Sequence, residues 1–120
     1  MRKPPFHKSF LNAFRGIFIM MKSERNFQLE LVAFVANLFL IFYLNLSKTD
    51  SVLILMVSSG VLAAEIFNTA IEKTCDIIQP EFDERIGFIK DISAGAVLLM
   101  ALISVITGAL IYWKYIFHQH

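Results

Sequence analysis

Four polar residues recur at intervals that a helix would bring onto a single face: Glu65, Asn68, Glu72 and Asp76, at i, i+3, i+7 and i+11. At ~100° per residue they fall within ~80° of one another, and Thr69 joins the same stripe. Carboxylates at this density repel one another unless cations neutralise them, and oxygen-rich sites of this kind suit Mg²⁺. Two smaller groups carry similar chemistry: Glu24, Arg25, Asn26 and Glu30 upstream, and Lys90-Asp91 downstream. The plainer account of these charges is salt bridging, for example Glu72 with Lys73 or Lys90. The chain has no Gly-x-x-x-x-Gly-Lys phosphate loop, no His/Cys metal spacing and no Ser/His/Asp arrangement. His7, His118 and His120 sit at the tails and are expected to be solvated. A single cysteine, Cys75, excludes an intrachain disulfide and a multi-Cys metal site, and reads as a small apolar filler near a helix end.

The elements that must position these groups are apolar. Of 120 residues 57% are hydrophobic, 12 of them Phe, and only 18% are charged. A soluble domain of this size has too small a core to hide that much apolar surface. Three apolar runs, at about 29–46, 51–72 and 92–114, each approach the ~20 residues a helix needs to cross a bilayer core. Because a backbone in lipid must bond to itself, and no period of two is present, the runs read as helices. The expected fold is an all-α membrane protein of one domain, 1–120. A carboxylate within such a span costs on the order of 3 kcal/mol, so the depth of Glu65 marks it as a candidate functional group.

Punctuation fits three spans. Ser47-Lys48-Thr49-Asp50 reads as a polar turn, with Asp50 or Ser51 capping the second helix. Pro80 ends that helix, which runs past the membrane surface, and Asp91 or Ser93 starts the third. Tyr112, Trp113 and Tyr115 read as an interfacial aromatic belt. Ahead of the first span, Phe6, Phe10, Phe14, Ile17 and Met21 recur at three or four residues. That spacing predicts an amphipathic helix over about 6–23, lying in the membrane interface or packed on the bundle. No cleavable signal peptide is expected.

Basic residues orient the chain. Arg2, Lys3, Lys8, Arg15, Lys22, Arg25, Lys73, Arg85 and Lys90 share one side of a three-span topology, against Lys48 and Lys114 on the other. By the positive-inside rule the N-terminus and the 73–91 loop are cytoplasmic and the C-terminus is outside.

The run Glu65-Ile-Phe-Asn68-Thr-Ala-Ile-Glu72-Lys-Thr-Cys-Asp76, then Pro80-Glu81 and Ile89-Lys90-Asp91-Ile-Ser-Ala-Gly95-Ala-Val, resembles the prokaryotic diacylglycerol kinase family, which includes the undecaprenol kinases. The resemblance covers roughly residues 9–112. It implies a surface helix plus three transmembrane helices in a bacterial inner (cytoplasmic) membrane, a homotrimer with active sites shared between subunits, and no nucleic-acid partner. It implies an ATP- and Mg²⁺-dependent lipid kinase acting on a membrane lipid alcohol. Carried over residue by residue, Glu65 is the catalytic base, and Glu24 and Glu72 hold Mg²⁺ and, through it, the nucleotide phosphates. Asn68, Lys90 and Asp91 match active-site positions, Asn68 on the substrate side and Lys90 and Asp91 with the nucleotide. Glu81, Phe82 and Asp83 match a nucleotide-contacting segment, Asn12 a further nucleotide contact, and Glu30 an acidic position near the lipid. Asp83 stands where many relatives have histidine, and Pro5, with Lys3, His7 and Lys8 nearby, where the family often has a basic residue. Ala94, Gly95 and Ala96 are expected to allow close helix packing beside the site. Glu24-Arg25-Asn26-Phe27 looks more like the undecaprenol kinases than the diacylglycerol-specific branch. The rival class is a non-enzymatic ion or proton pathway, against which no complete polar path crosses the spans.

Overall fold

A computed structural model describes residues 3–117; Arg2, His118 and His120, used above for charge placement and the tails, lie outside the described residues. The chain forms four helices: α1 (Phe6–Ser23), α2 (Arg25–Tyr43), α3 (Lys48–Ile78) and α4 (Glu84–Phe117). The last three are long and apolar enough to cross a membrane. At ~1.5 Å per residue α2 spans ~28 Å, close to a hydrocarbon core of ~30 Å, whereas α3 and α4 reach ~46 and ~51 Å. The α3–α4 hairpin therefore stands clear of the core at one end.

The joint between α1 and α2 is a single residue. Glu24 has φ −108° and ψ 111°, closing α1 and opening α2. The Gln28 side chain donates to the Met21 and Lys22 carbonyls at 3.0 and 3.3 Å, satisfying the end of α1. Met20 and Phe27 are buried on either side of the joint. The rest of α1 is exposed, with Phe10, Phe14 and Phe18 all more than half accessible. α1 thus meets the bundle near the joint, while its apolar face is free to enter an interface; the two readings are compatible.

The first span ends earlier than its hydropathy suggests. Asn45 has φ 56°, and the Leu46 N–H donates to the Ile41 carbonyl at 3.0 Å. This is a left-handed helix stop with a buried apolar residue, Leu46, just beyond it. Asn tolerates that conformation because its short polar side chain can bond locally. The next helix is capped by Ser47, not by Asp50 or Ser51: the Ser47 hydroxyl oxygen accepts from the Asp50 N–H at 3.1 Å. The Ser-x-x-acid spacing carried that signal.

α3 packs against both α2 and α4 and forms the centre of the bundle. Its buried seam runs Asp50, Ile54, Ser58, Val61, Glu65, Thr69 and Cys75, so Cys75 is the apolar filler expected. Asn37 of α2 donates to the Ser58 hydroxyl at 2.9 Å and accepts from the Tyr112 hydroxyl of α4 at 2.8 Å, tying three helices in mid-span. At the far end Asp50 accepts from Lys114 at 3.0 Å and from Tyr115 at 2.8 Å. Tyr112 and Tyr115 are therefore interior ties, and of the expected belt only Trp113 faces outward, beside Phe117. The close approach of α3 and α4 is at Gly60, where a Cβ would run into the Met100 terminal methyl. Ala94, Gly95 and Ala96 instead face outward, and a Cβ on Gly95 would meet nothing. In this stretch Ser93 is the residue turned inward.

α4 begins at Glu84, not at Asp91 or Ser93. Asp83 accounts for the earlier start. Its carboxylate accepts from the Arg85 backbone N–H at 2.8 Å while its carbonyl accepts from Gly87 at 3.0 Å, the pattern of an N-terminal cap.

Candidate functional site: a carboxylate group at one end of the bundle

Glu65 is 7% exposed on the inner seam of α3. Its depth follows from the heptad-like seam: every third or fourth residue of α3 faces inward, and position 65 falls on that series. Beyond its burial, Glu30, Glu72 and Glu24 are near enough for their charges to act on it. Three elements thus converge, with Glu24 at the α1–α2 joint, Glu30 one turn and a half along α2, and Glu65 and Glu72 on α3. Burial falls along the stripe: Glu65 and Thr69 are buried, Asn68 is half-buried, and Glu72 and Asp76 are exposed. A deep carboxylate with acidic groups stepping toward water is the arrangement expected from the sequence.

The ion pairs differ from the expected ones. Lys73 lies 3.8 Å from Glu24, and Lys90 donates to Asp76 at 2.7 Å. Glu72 makes neither proposed pair, and the charges of Glu24 and Asp76 are the ones met. On α4, Ser93 donates to the Asn68 carboxamide oxygen at 2.7 Å. This contact and the Lys73 pair were missed from the sequence; the only hint was a hydroxyl and an amine at the right helical spacing among small or acidic residues.

The Asp83 carboxylate is engaged within its own turn. Arg85 binds its carboxylate through Nε at 3.1 Å and Nη2 at 2.8 Å. The Arg85 guanidinium, and then its backbone N–H, hold this carboxyl down at about 2. A depressed value means that the cap's ionic contribution is present above the ordinary carboxylate range and fades only as pH falls toward about 2. Asp83 stays charged at any physiological pH. A small cleft of about 180 Å³ lies here, lined by residues including Asp76, Glu81, Phe82, Asp83 and Lys90. Asp91 is exposed. Asn12 is exposed on α1, twelve residues before Glu24, or ~18 Å along the helix. The chain therefore gathers Glu24, Glu30, Glu65, Asn68 and Glu72, sets Glu81, Asp83 and Lys90 around a neighbouring cleft, and leaves Asn12 apart.

Among the described residues no group of three or more His, Cys, Asp or Glu could hold a metal unaided. That donor set suits Mg²⁺ nonetheless, because Mg²⁺ keeps several waters and is bound through one or two carboxylates plus substrate phosphates. Half-buried Glu24 and exposed Glu72 offer two such carboxylates.

The chain is similar to known proteins. Residues 11–112 match the family described as Prokaryotic diacylglycerol kinase. The chain is 40% identical to the undecaprenol kinase of Bacillus subtilis (strain 168) over 107 residues, 89% of this chain and 87% of that one. It is 29% identical to the diacylglycerol kinase of Escherichia coli (strain K12) over 103 residues, 86% and 84% of the two chains. It is 32% identical to the diacylglycerol kinase of a Synechocystis strain over 101 residues, 83% of this chain and 58% of that one. With the three spanning helices and the carboxylate group in place, the match over nearly the whole chain decides the matter: the protein belongs to the prokaryotic diacylglycerol kinase family and is a membrane lipid kinase.

Proposed function

We propose that this lipid kinase transfers the γ-phosphoryl group of MgATP to the hydroxyl of a polyprenol, undecaprenol, in preference to diacylglycerol. The observation that carries the reading is the buried Glu65 with the charges of Glu30, Glu72 and Glu24 around it at one end of the spans. A lipid hydroxyl sits at the headgroup level and ATP arrives from water, so the acceptor oxygen and the phosphates meet where this stripe passes from buried to exposed. Glu65 takes the hydroxyl proton as the oxygen attacks phosphorus. Glu24 and Glu72 are the groups that would hold Mg²⁺, which when bound neutralises charge on the phosphates. Lys90 and Asp91, with Glu81 and Asp83, border the nucleotide, and Glu30 and Asn68 the lipid. Asn12, far from the carboxylates of its own chain, serves a neighbouring subunit's site in a homotrimer. The membrane is the bacterial inner membrane.

The preference for undecaprenol is supported by the higher identity to the relative of that name and by the Glu24–Phe27 joint, which borders the carboxylates. Radiolabelled ATP, purified protein and a panel of lipid alcohols test it. The expected result is Mg²⁺-dependent labelling with the highest kcat/KM for undecaprenol. Equal or better turnover of diacylglycerol would overturn the preference alone; no labelling of any lipid alcohol would overturn the proposed reaction.

A further inference from the structure

We infer that Ser93 is a positioning residue of the site, fixing the carboxamide of Asn68 so that its N–H groups face the reacting oxygens. The inference rests on the reading of Asn68 as a substrate-side group. Ser93 is 7% exposed on α4, and its hydroxyl lies 2.7 Å from the Asn68 carboxamide oxygen. A serine hydroxyl has one proton, and inside a helix it often goes back to the carbonyl four residues earlier. Other hydroxyls of this chain do so: Ser23 to Ile19, Ser59 to Leu55 and Thr74 to Ala70, each at 2.7 Å. Ser93 does not; among the described residues its proton goes to Asn68 alone. Turning the carboxamide over would aim an N–H at the hydroxyl oxygen, and the Ser93 proton would have to turn from Asn68 back to the Ile89 carbonyl of its own helix, the weaker use that Ser93 forgoes.

The carboxamide is thereby committed. Its oxygen is spent on α4, and its two N–H donors are left for the open side, since Asn68 is only half-buried and gives them to no other described residue. Donors not already engaged by a carboxylate are scarce here: Glu24, Glu30, Glu65 and Glu72 are acceptors when ionised, and Lys73 and Lys90 are turned to Glu24 and Asp76. An oxygen ligand, whether the lipid hydroxyl or a phosphate oxygen, needs a donor held in place before it arrives. A freely flipping Asn68 would present its oxygen part of the time and repel such a ligand. The same bond couples α3 to the α4 turn that carries Lys90 and Asp91, one turn away, so donor and cation are held in register. Ser93 touches no substrate itself and acts through Asn68.

The test is a double-mutant cycle on the purified full-length protein, with initial rates of lipid phosphorylation at saturating MgATP. Ser93→Ala should lower kcat about fivefold, the order expected from one lost hydrogen bond. Ser93→Thr, which keeps the hydroxyl, should recover most of the rate, and the KM for ATP should hardly move. Asn68→Ala should be impaired more, and adding Ser93→Ala to it should cost nothing further. Full activity in Ser93→Ala, or penalties that multiply in the double variant, would overturn the inference while leaving the kinase reading intact. Coupling seen in the melting temperature but not in kcat would reduce Ser93 to a packing contact. Full activity in Asn68→Ala would remove Asn68 from the site and the inference with it, and an inert wild type would remove the reaction itself.

Discussion

At the scale of the residue, Glu65 is the group whose environment most restricts its role. An idle carboxylate buried in a membrane helix costs on the order of 3 kcal/mol, and here three more acidic groups add repulsion. Glu65→Gln keeps the shape and much of the hydrogen bonding but cannot accept a proton. We expect kcat to fall by ~10²–10⁴-fold, with nucleotide affinity nearly intact and the melting temperature unchanged or higher. Single-turnover rates and nucleotide titrations check this, and a near-normal kcat would pass the role of base to another group. Glu72→Gln should instead weaken Mg²⁺-dependent nucleotide binding in a protein that still folds, because exposed Glu72 contributes little to packing. Unchanged nucleotide affinity would take Glu72 out of the metal site. The depth order of Glu65, Asn68 and Glu72 was legible in the sequence because it depends only on helical spacing. The partners of Lys73, Lys90 and Ser93 were not, since ion pairs and hydroxyl contacts between helices depend on rotation and register that one helix does not encode.

At the scale of the element, all four helices were legible, α1 over the bounds expected, and the ends of the three spans were misread for identifiable reasons. Hydropathy alone carried the first span through Leu46, but the left-handed Asn45 turns the chain after Tyr43. It also placed the start of the third helix at the membrane surface, whereas the Asp83 cap starts it seven residues earlier than Asp91 suggested, because α4 is longer than a bilayer core is thick. Caps and left-handed stops are local chemistry, invisible to an average over a window. The α2–α3 turn makes the corresponding prediction. Asn45→Val puts a β-branched residue at φ 56° and should cost about 1–2 kcal/mol, whereas Asn45→Gly should cost little. Thermal unfolding in detergent, followed by helical circular dichroism, separates the two; equal stability of both variants would mean that Leu46 and the Asp50 ties hold this turn without help from residue 45. The seam of α3 also bears on the rival reading of an ion pathway. Ile54 and Val61, 1% and 2% exposed, interrupt the polar series Asp50, Ser58 and Glu65, so its polar groups stand apart and form no continuous file.

At the scale of the whole molecule, the two ends of the bundle are chemically unlike. One end holds the Glu24 joint, the α3–α4 turn and the cleft beside Lys90; the other holds the α2–α3 turn and the Asp50–Lys114–Tyr115 tie. Among the described residues eight basic side chains lie in the segments of the first end and two, Lys48 and Lys114, at the second. The amphipathic α1, with Lys8, Arg15 and Lys22 among its aromatic residues, leaves the same first end and would lie along that membrane surface. ATP is cytoplasmic, so the carboxylate end must be the inner one if the proposed reaction is right, and the positive-inside rule independently favours the same orientation. In a Cys75→Ala background, which keeps that buried site apolar, a cysteine at exposed Thr49 should react with a membrane-impermeant maleimide in intact cells. A cysteine at exposed Glu81 should react only after permeabilisation. The opposite pattern would invert the molecule and deprive the site of its nucleotide, and labelling of both from outside would show that an even number of spans separates them, against the fold itself. The expected pattern would place Glu72, Lys90 and the nucleotide on one side of the bilayer, with Glu65 reaching into it toward the lipid hydroxyl.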